Sequence, residues 1–382
     1  MIDIKSKLPA TGTTIFTVMS RLAQEYNAIN LSQGFPDFDV DPDLIDLVNF
    51  YMKNRVNQYA PMQGIPLLRK AIANKINKAY NSNYDFESAI TITAGATQAI
   101  FTAIATIVNK DDEVIIFEPA YDCYAPAVEL FQGKTIHLEL KTPGFKIDFE
   151  ELEKSINKKT KAIIINNPNN PAGSVFTKEE LINLSDLLKN KNVFILSDEV
   201  YEHMVFDNHT HHSVASIPDL ANKSFIFFSF GKTFHATGWK VGYCIAPEYL
   251  MKEFRKVHQF NVFCVNSPIQ HALADYLIEE KNYNQLNEFY QKKRNKFLDL
   301  IKSSDFKISP SQGTYFQLLD YSDISNEPDF DFAVRLIKEY GIASVPVSSF
   351  YKKENGLKML RFCFAKKEET LIEASNKIIA IK

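Results

Sequence analysis

A lysine four residues after a predicted buried strand could act as a nucleophile. The apolar run Phe225–Phe228 leads into the segment 229–233, which contains Lys232. Burial at a strand end lowers the pKa of an amine and lets it form a Schiff base. A surface lysine in a loop is the alternative. A phosphate-binding P-loop is excluded, because Ile226 stands five residues before Gly231, where that pattern requires glycine.

Polar residues also follow the two preceding predicted strands. Asp198 and Tyr201 come after Val193–Leu196, and Asn170 comes after Ala162–Ile165. An aspartate at the end of an apolar strand is costly unless it meets a cation, and a protonated pyridine nitrogen would serve. Tyr201 and Asn170 could then hydrogen-bond a phenolic oxygen on the same ring. The alternatives are an aspartate that caps the next element, a structural tyrosine and a turn asparagine.

One segment predicts a phosphate site. Gly95, Ala96 and Thr97 follow a predicted strand and open a helix, so backbone N–H groups at the helix N-terminus can face a phosphate. Ser229 and Lys240 would add a hydroxyl and a positive charge to the same phosphate. The alternative is an ordinary helix start, where small residues are common.

A lone cation in an apolar strand predicts a second anion site. Arg361 stands within the apolar run 359–364. A buried guanidinium needs an anion, and a carboxylate of the substrate held through two hydrogen bonds would suit it. A structural salt bridge is the alternative.

These residues follow short β-branched runs that alternate with helical patterns from about residue 87. The predicted strands of this region are Ile90–Thr93, Val114–Phe117, Ala162–Ile165, Val193–Leu196 and Phe225–Phe228. Apolar strands separated by amphipathic helices predict an α/β fold with a mostly parallel sheet covered by helices. Ligands bind such sheets at the carboxyl ends of the strands. Residues 247–303 predict a nearly unbroken helix, and the region after about residue 304 predicts a smaller α+β unit.

The length of 382 residues predicts two domains. We divide the chain into an N-terminal arm over residues 1–25, a small domain formed by residues 26–43 with 283–382, and a large domain over residues 44–282. The first forty-odd residues cannot form a core alone, so we expect them to join the small unit or to lie across a partner.

Composition excludes several classes of protein. The net charge of −3, with 45% hydrophobic and 23% charged residues, is typical of a globular protein and gives no attraction to nucleic acid. The four cysteines lack metal-type or disulfide-type spacing, which predicts a reduced, cytoplasmic chain. Neither a secretory signal nor a membrane span is predicted. We interpret His209, His211 and His212 as part of a polar loop rather than as metal ligands.

Taken together, these segments resemble the fold-type I pyridoxal-phosphate (PLP) enzymes, the class I/II aminotransferases. The family pattern Ser-x-Gly-Lys and the following Thr-Gly-x-[Arg/Lys]-x-Gly are met between Ser229 and Gly242. Asn-Pro-x-Gly is met by Asn170 to Gly173, and Asp-x-x-Tyr is met by Asp198 and Tyr201. The resemblance covers essentially the whole chain and implies PLP as cofactor, with Lys232 as its lysine.

The finer resemblance is to the kynurenine aminotransferase/glutamine transaminase K branch, with bacterial methionine aminotransferases nearest. It implies that Tyr121 stacks on the cofactor ring and that Phe16 and Gly34 line the substrate pocket. It also implies that Tyr59 reaches the cofactor phosphate of a neighbouring subunit, in a homodimer with shared active sites. Two departures stand out: Lys240 replaces the usual arginine, and Thr97 stands where kynurenine enzymes often carry tyrosine.

The resemblance implies transamination of methionine, glutamine or an aromatic amino acid to its 2-oxo acid. No second arginine is placed to bind a side-chain carboxylate. β-Elimination from cysteine S-conjugates on the same scaffold is the nearest alternative, and a non-catalytic PLP-binding regulator is a remote one. A nicotinamide dehydrogenase is disfavoured because no G-x-G-x-x-G follows a strand.

Overall fold

A seven-stranded sheet forms the centre of the larger part of the molecule. The computed structural model describes residues 4–353 and 356–382. The strands of the whole molecule, only some of which belong to this sheet, are β1 (Ile29–Asn30), β2 (Ile90–Thr93), β3 (Glu113–Glu118), β4 (Lys134–Glu139), β5 (Thr160–Asn166), β6 (Phe194–Asp198), β7 (Ser224–Ser229), β8 (Gly242–Ile245), β9 (Lys307–Ile308), β10 (Phe316–Asp320), β11 (Ile342–Ala343), β12 (Val345–Pro346) and β13 (Met359–Cys363). The large sheet has the order β2-β8-β7-β6-β5-β3-β4, and only β8 runs antiparallel to its neighbours. The predicted mostly parallel α/β sheet is confirmed.

Helices cover this sheet and build the rest of the molecule. They are α1 (Ile15–Glu25), α2 (Pro42–Lys53), α3 (Pro66–Tyr80), α4 (Ala96–Ile107), α5 (Tyr124–Leu130), α6 (Phe149–Ser155), α7 (Lys178–Leu188), α8 (Pro218–Ala221), α9 (Phe230–Thr233), α10 (Glu248–Asn261), α11 (Ser267–Tyr276), α12 (Lys281–Asn284), α13 (Leu286–Ile301), α14 (Asp329–Arg335) and α15 (Glu368–Ile379). Among the described residues, no helix is both long and apolar enough to cross a membrane.

The central strand β5 of the large sheet is apolar on both faces because both faces are covered. In β5, Ile163 and Ile165 belong to one hydrophobic core, whereas Ala162 and Ile164 belong to another. Alternate side chains of a strand point to opposite faces, so one continuous apolar run supplies two cores. This two-sided burial explains why the sequence pattern was recognisable as a buried parallel strand.

The strand register brings the predicted site residues to one edge. Asn166, the last residue of β5, lies opposite Asp198, the last residue of β6. Asp198 in turn lies opposite Phe227, two residues before the end of β7. The segments that follow these three strands therefore begin side by side at the carboxyl edge of the sheet.

A smaller α+β unit follows in the chain. Its antiparallel sheet has the order β12-β13-β10-β9. The N-terminal region packs on it: β1 pairs with β11 in parallel, with Ile29 opposite Ile342, and Met19 and Ala23 of α1 join the same core. The prediction that the first residues join the small unit agrees with these contacts, and the numerical domain boundaries stay a prediction.

The predicted nearly unbroken helix over residues 247–303 is wrong. The structure has four helices there, α10 to α13. The first break contains Phe263, whose φ of 68° lies in the left-handed region and ends the helical path. Asn266 then caps α11 by accepting the backbone N–H of Ile269, and Pro268 occupies its first turn.

Candidate active site

Lys232 lies in the short helix α9, directly after β7, and lines a cavity of about 240 Å³ at the carboxyl edge of the large sheet. Its Nζ donates to the Tyr315 hydroxyl at 2.8 Å and to the Gly34 carbonyl at 3.2 Å. Although the cavity leaves part of the side chain open, the surrounding protein removes most water from the amine. This burial lowers the pKa of Lys232 to about 8. An amine with this pKa is partly neutral, and therefore nucleophilic, near neutral pH.

Asp198 ends β6 and is buried in the wall of the same cavity. Tyr124 donates its hydroxyl to Oδ2 at 2.6 Å, and the backbone N–H of Val200 donates to Oδ1 at 3.3 Å. Burial raises the pKa of Asp198 to about 6, because these neutral donors do not replace the lost water. A cationic ring nitrogen in the cavity would supply the missing partner. Tyr124 was not found from the sequence, since it lies 74 residues from Asp198 in the chain.

The predicted phosphate segment forms a positive pocket at the start of α4. Gly95 has a φ of 79° and leads into this twelve-residue helix, so its backbone requires glycine. A Cβ added to Gly95 would lie 3.5 Å from the Lys240 Nζ, which shows that the lysine amine faces this glycine. Ser229 and Thr237 line the same cavity. The helix N-terminus, the amine and the hydroxyls fit a phosphate group.

Arg361 lies in β13 with 1% of its surface exposed. Its Nη1 donates to Asn170 Oδ1 at 2.8 Å, and its Nη2 donates to the Ser32 carbonyl at 2.7 Å. The guanidinium carbon lies 3.8 Å from the centre of the Phe316 ring. Within the described chain, no carboxylate lies within 4.0 Å of this guanidinium, and its Nε has no hydrogen-bond partner. The salt-bridge alternative is therefore not realised, and the guanidinium is available to an anion.

The fold brings all but one of the predicted site residues into this single cavity. Those that line it are Phe16, Gly34, Gly95, Ala96, Thr97, Tyr121, Asn170, Asp198, Tyr201, Ser229, Lys232, Lys240 and Arg361. Tyr59 does not line it and is 84% exposed. The structure shows that the listed cavity residues lie close together, whereas the role of each residue stays a prediction.

The cavity also contains residues that the sequence did not single out. They are Gln33, Ile100, Asn166, Val200, Gly231, Thr237, Val241 and Phe316. Four of the eight, Gln33, Val200, Gly231 and Val241, stand next to a predicted residue in the chain, so neighbouring positions in the motifs were the available signal for these. The sequence contained no signal for Phe316, because an apolar residue in a strand ordinarily belongs to the hydrophobic core.

A buried network of charged and polar groups joins α3 to the segment that follows β6. Lys75 pairs with Glu202, and Tyr80 donates its hydroxyl to Glu202 at 2.8 Å. Tyr80 also lies 2.9 Å from Nδ1 of His211, whose pKa is lowered to about 4 by burial. His211 lies in the loop between β6 and α8, as predicted, and its side chain packs within this network. No cluster of three or more His, Cys, Asp or Glu suited to a metal occurs within residues 4–353 and 356–382.

A doubly wound sheet with a desolvated lysine, a buried aspartate and a phosphate pocket at one edge defines a PLP-dependent enzyme of fold type I. The model of the family "Aminotransferase class I and II" matches residues 26–378. The chain belongs to this family. It is accordingly an aminotransferase and uses PLP, as the resemblance implied.

Individual relatives cover almost the whole chain. The methionine aminotransferase of Escherichia coli K12 is 44% identical over 375 residues, which are 98% of this chain and 97% of that protein. Human kynurenine–oxoglutarate transaminase 1 is 34% identical over 394 residues, covering 94% and 93% of the two chains. The crystal structure of E. coli YbdL, reported to have a methionine aminotransferase function, superposes with a TM-score of 0.97 over 100% of both chains at 44% identity. That of Mycobacterium tuberculosis N-succinyldiaminopimelate aminotransferase has a TM-score of 0.96 over 100% of both chains at 32% identity.

Proposed function

We propose that this chain transfers the amino group of an uncharged amino acid, with methionine as the first donor to test, to a 2-oxo acid. The observation that carries the proposal is the guanidinium of Arg361, which is buried in the cavity wall without a carboxylate partner among the described residues. The α-carboxylate of an amino acid would supply the missing anion. The name of the E. coli relative supports methionine, and the names of the relatives reported above favour transamination over β-elimination.

The cavity residues divide into those that would hold PLP and those that would bind the amino acid. When bound, PLP supplies an electron sink beside the Cα of the substrate. We assign its ring nitrogen to Asp198, its ring face to Tyr121, and its phosphate to residues 95–97 with Ser229 and Lys240. This assignment uses a raised aspartate pKa, an aromatic ring and a positive helix end, each of which suits the group it would meet.

Two side chains would act on the amino acid, and two others would hold the phenolic oxygen of PLP. The amine of Lys232, with a pKa of about 8, would take the proton from the Cα of the amino acid. Arg361 would hold the α-carboxylate and so orient the Cα–H bond. Asn170 Oδ1 already accepts a hydrogen bond from Arg361, which leaves the amide N–H groups of Asn170, together with the Tyr201 hydroxyl, to donate to the phenolic oxygen of PLP.

Amino acids with a side-chain carboxylate should be poor donors. The cations that line the cavity among the described residues are Lys232, Lys240 and Arg361, and the proposal assigns all three. A second carboxylate would lose its water without gaining a partner, so we expect kcat/KM for glutamate to be about 100-fold or more below that for glutamine. Methionine and phenylalanine should resemble glutamine.

The matched pairs glutamine–glutamate and asparagine–aspartate test this expectation, because the members of each pair differ in charge and hardly in shape. Initial rates at several donor concentrations with one 2-oxo acid give each kcat/KM. Equal values within a pair would mean that the site holds a side-chain carboxylate, and the proposed substrate class would be wrong.

We also propose that the chain acts in the cytoplasm as a homodimer, with the domain division given above and with Tyr59 reaching the cofactor phosphate of the other subunit. Tyr59 is exposed and packs edge-on against Phe263, which is also exposed, at 5.5 Å between ring centres. Such exposed aromatic groups are typical of subunit contacts. Light scattering coupled to gel filtration should give twice the mass of one chain. A fully active monomer would contradict the shared active site.

A further inference from the structure

The hydroxyl of Tyr315 is the nearest hydrogen-bond partner of the Lys232 amine. The Nζ of Lys232 lies 2.8 Å from this oxygen and 3.2 Å from the Gly34 carbonyl oxygen. Tyr315 donates its own proton to the same Gly34 carbonyl. The Tyr315 oxygen is thereby left as an acceptor toward the lysine, and the three groups form a closed triangle of hydrogen bonds.

The surroundings hold Tyr315 in this orientation. Its side chain is 0% exposed, and its ring packs against Tyr201 and Phe316 at centre-to-centre distances of 5.2 and 4.9 Å. The Gly34 carbonyl is equally confined, because a Cβ on Gly34 would lie 2.7 Å from the Phe316 ring. Both acceptors of the lysine amine therefore have fixed positions.

We propose that Tyr315, together with the Gly34 carbonyl, holds the amine of Lys232 during the part of the reaction in which that amine is not bonded to PLP. A neutral amine has two N–H groups and one lone pair. When both N–H groups are donated to Tyr315 and Gly34, the lone pair points away from both acceptors and toward the substrate Cα–H. Tyr315 is thus a positioning residue, and this inference rests on the proposed function of Lys232.

Tyr315 is suited to hold the amine and not to exchange protons with it. Burial, reinforced by the neighbouring Tyr201, Cys363 and Tyr290, raises the pKa of Tyr315 well above its ordinary value. The hydroxyl therefore stays protonated and keeps its lone pair for the lysine. The other ionisable groups that act on the amine are Asp198, Arg361, Lys240 and Cys363. A substitution at Tyr315 leaves all four in place.

Replacing Tyr315 with phenylalanine tests the inference, because it removes the acceptor and keeps the ring. Single-turnover reaction of the PLP-loaded protein with L-methionine, without an oxo acid, should slow about 10- to 100-fold as the amine loses its orientation. Substrate deuterated at Cα should show a larger rate ratio than with the wild type, since proton removal becomes more rate-limiting. The apparent Kd for methionine, taken from the concentration dependence of the single-turnover rate, should change little, because the hydrogen bonds of Arg361 go to Asn170 and Ser32 and not to Tyr315.

A second readout uses the protein without PLP. The rate at which the apoprotein takes up PLP depends on the neutral fraction of Lys232, so its pH profile reports the pKa of that amine. The Tyr315 oxygen favours the charged ammonium form, and its removal should move the midpoint of this profile to lower pH by about 0.5 to 1. If the phenylalanine variant does not fold, a monofluorinated tyrosine at the same position should shift both readouts in the same direction by less.

Tyr290→Phe is the matched control. Tyr290 is fully buried in the same aromatic cluster, 5.7 Å from the Tyr315 ring, and its hydroxyl has no partner among the described residues. This variant should behave as the wild type in both readouts. Equal rates, isotope ratios and pH midpoints for Tyr315→Phe and the wild type would overturn the inference. Failure of the wild type to show the absorbance band of lysine-bound PLP would instead overturn the proposed function.

Discussion

Lys232→Ala should abolish turnover with every amino-acid donor and remove the absorbance band of lysine-bound PLP, while the fold remains intact. The substitution removes both the covalent attachment point and the group that would take the Cα proton. General-base catalysis alone contributes about 100- to 10,000-fold, so we expect kcat to fall by at least that factor. Absorbance spectra at roughly 330–430 nm, recorded before and after adding methionine, and steady-state rates measure the two effects.

Lys252→Ala is the matched control for this variant. Lys252 is an exposed residue of α10, so its removal should leave the spectrum and the rate unchanged. Circular dichroism of both variants checks that the fold is retained. Multiple turnovers by Lys232→Ala would show that another group holds the cofactor and takes the proton.

Asp198→Asn should lower kcat about 100- to 1000-fold and still allow PLP to bind. A carboxylate keeps the ring nitrogen of PLP protonated, whereas a neutral amide cannot, so the ring accepts electrons from Cα less well. Asparagine can still accept the Val200 backbone N–H at Oδ1, and its amide N–H can donate to the Tyr124 hydroxyl, which now donates to Oδ2 of Asp198. The substitution therefore separates an electrostatic role from the alternative of a capping aspartate, for which asparagine is an adequate replacement.

Glu199→Gln is the control at the neighbouring position. Glu199 is fully buried, does not line the cavity, and accepts hydrogen bonds from the Ser197 hydroxyl and the Val214 N–H. Burial raises its pKa to about 8, so at pH 7 this group is mostly the uncharged acid, which glutamine resembles. We expect kcat within a few-fold of the wild type at pH 7. If Asp198→Asn also retained its kcat, Asp198 would be a structural cap.

The class of fold and most of the candidate site were predictable because they depend on local patterns. The run Ala162–Ile165 lies within β5, and Lys178–Leu188 is α7 with the predicted bounds. A strand buried on both faces needs a continuous apolar run, and polar residues at its end are then conspicuous. Asp198 and Lys232 were recognisable for this reason. The helix breaks between residues 261 and 286 were missed because an amphipathic pattern continues through them.

The sequence by itself determined which chemical groups are present and at which strand ends they stand. Only the tertiary structure decided which groups share hydrogen bonds. Lys232 meets Gly34 and Tyr315 across 198 and 83 residues of chain, and Arg361 meets Asn170 across 191. The periodic pattern of apolar residues reports only on single helices and strands, whereas these contacts depend on how the small unit packs against the edge of the large sheet. The partners that orient the amine and the guanidinium are therefore set by packing between distant segments.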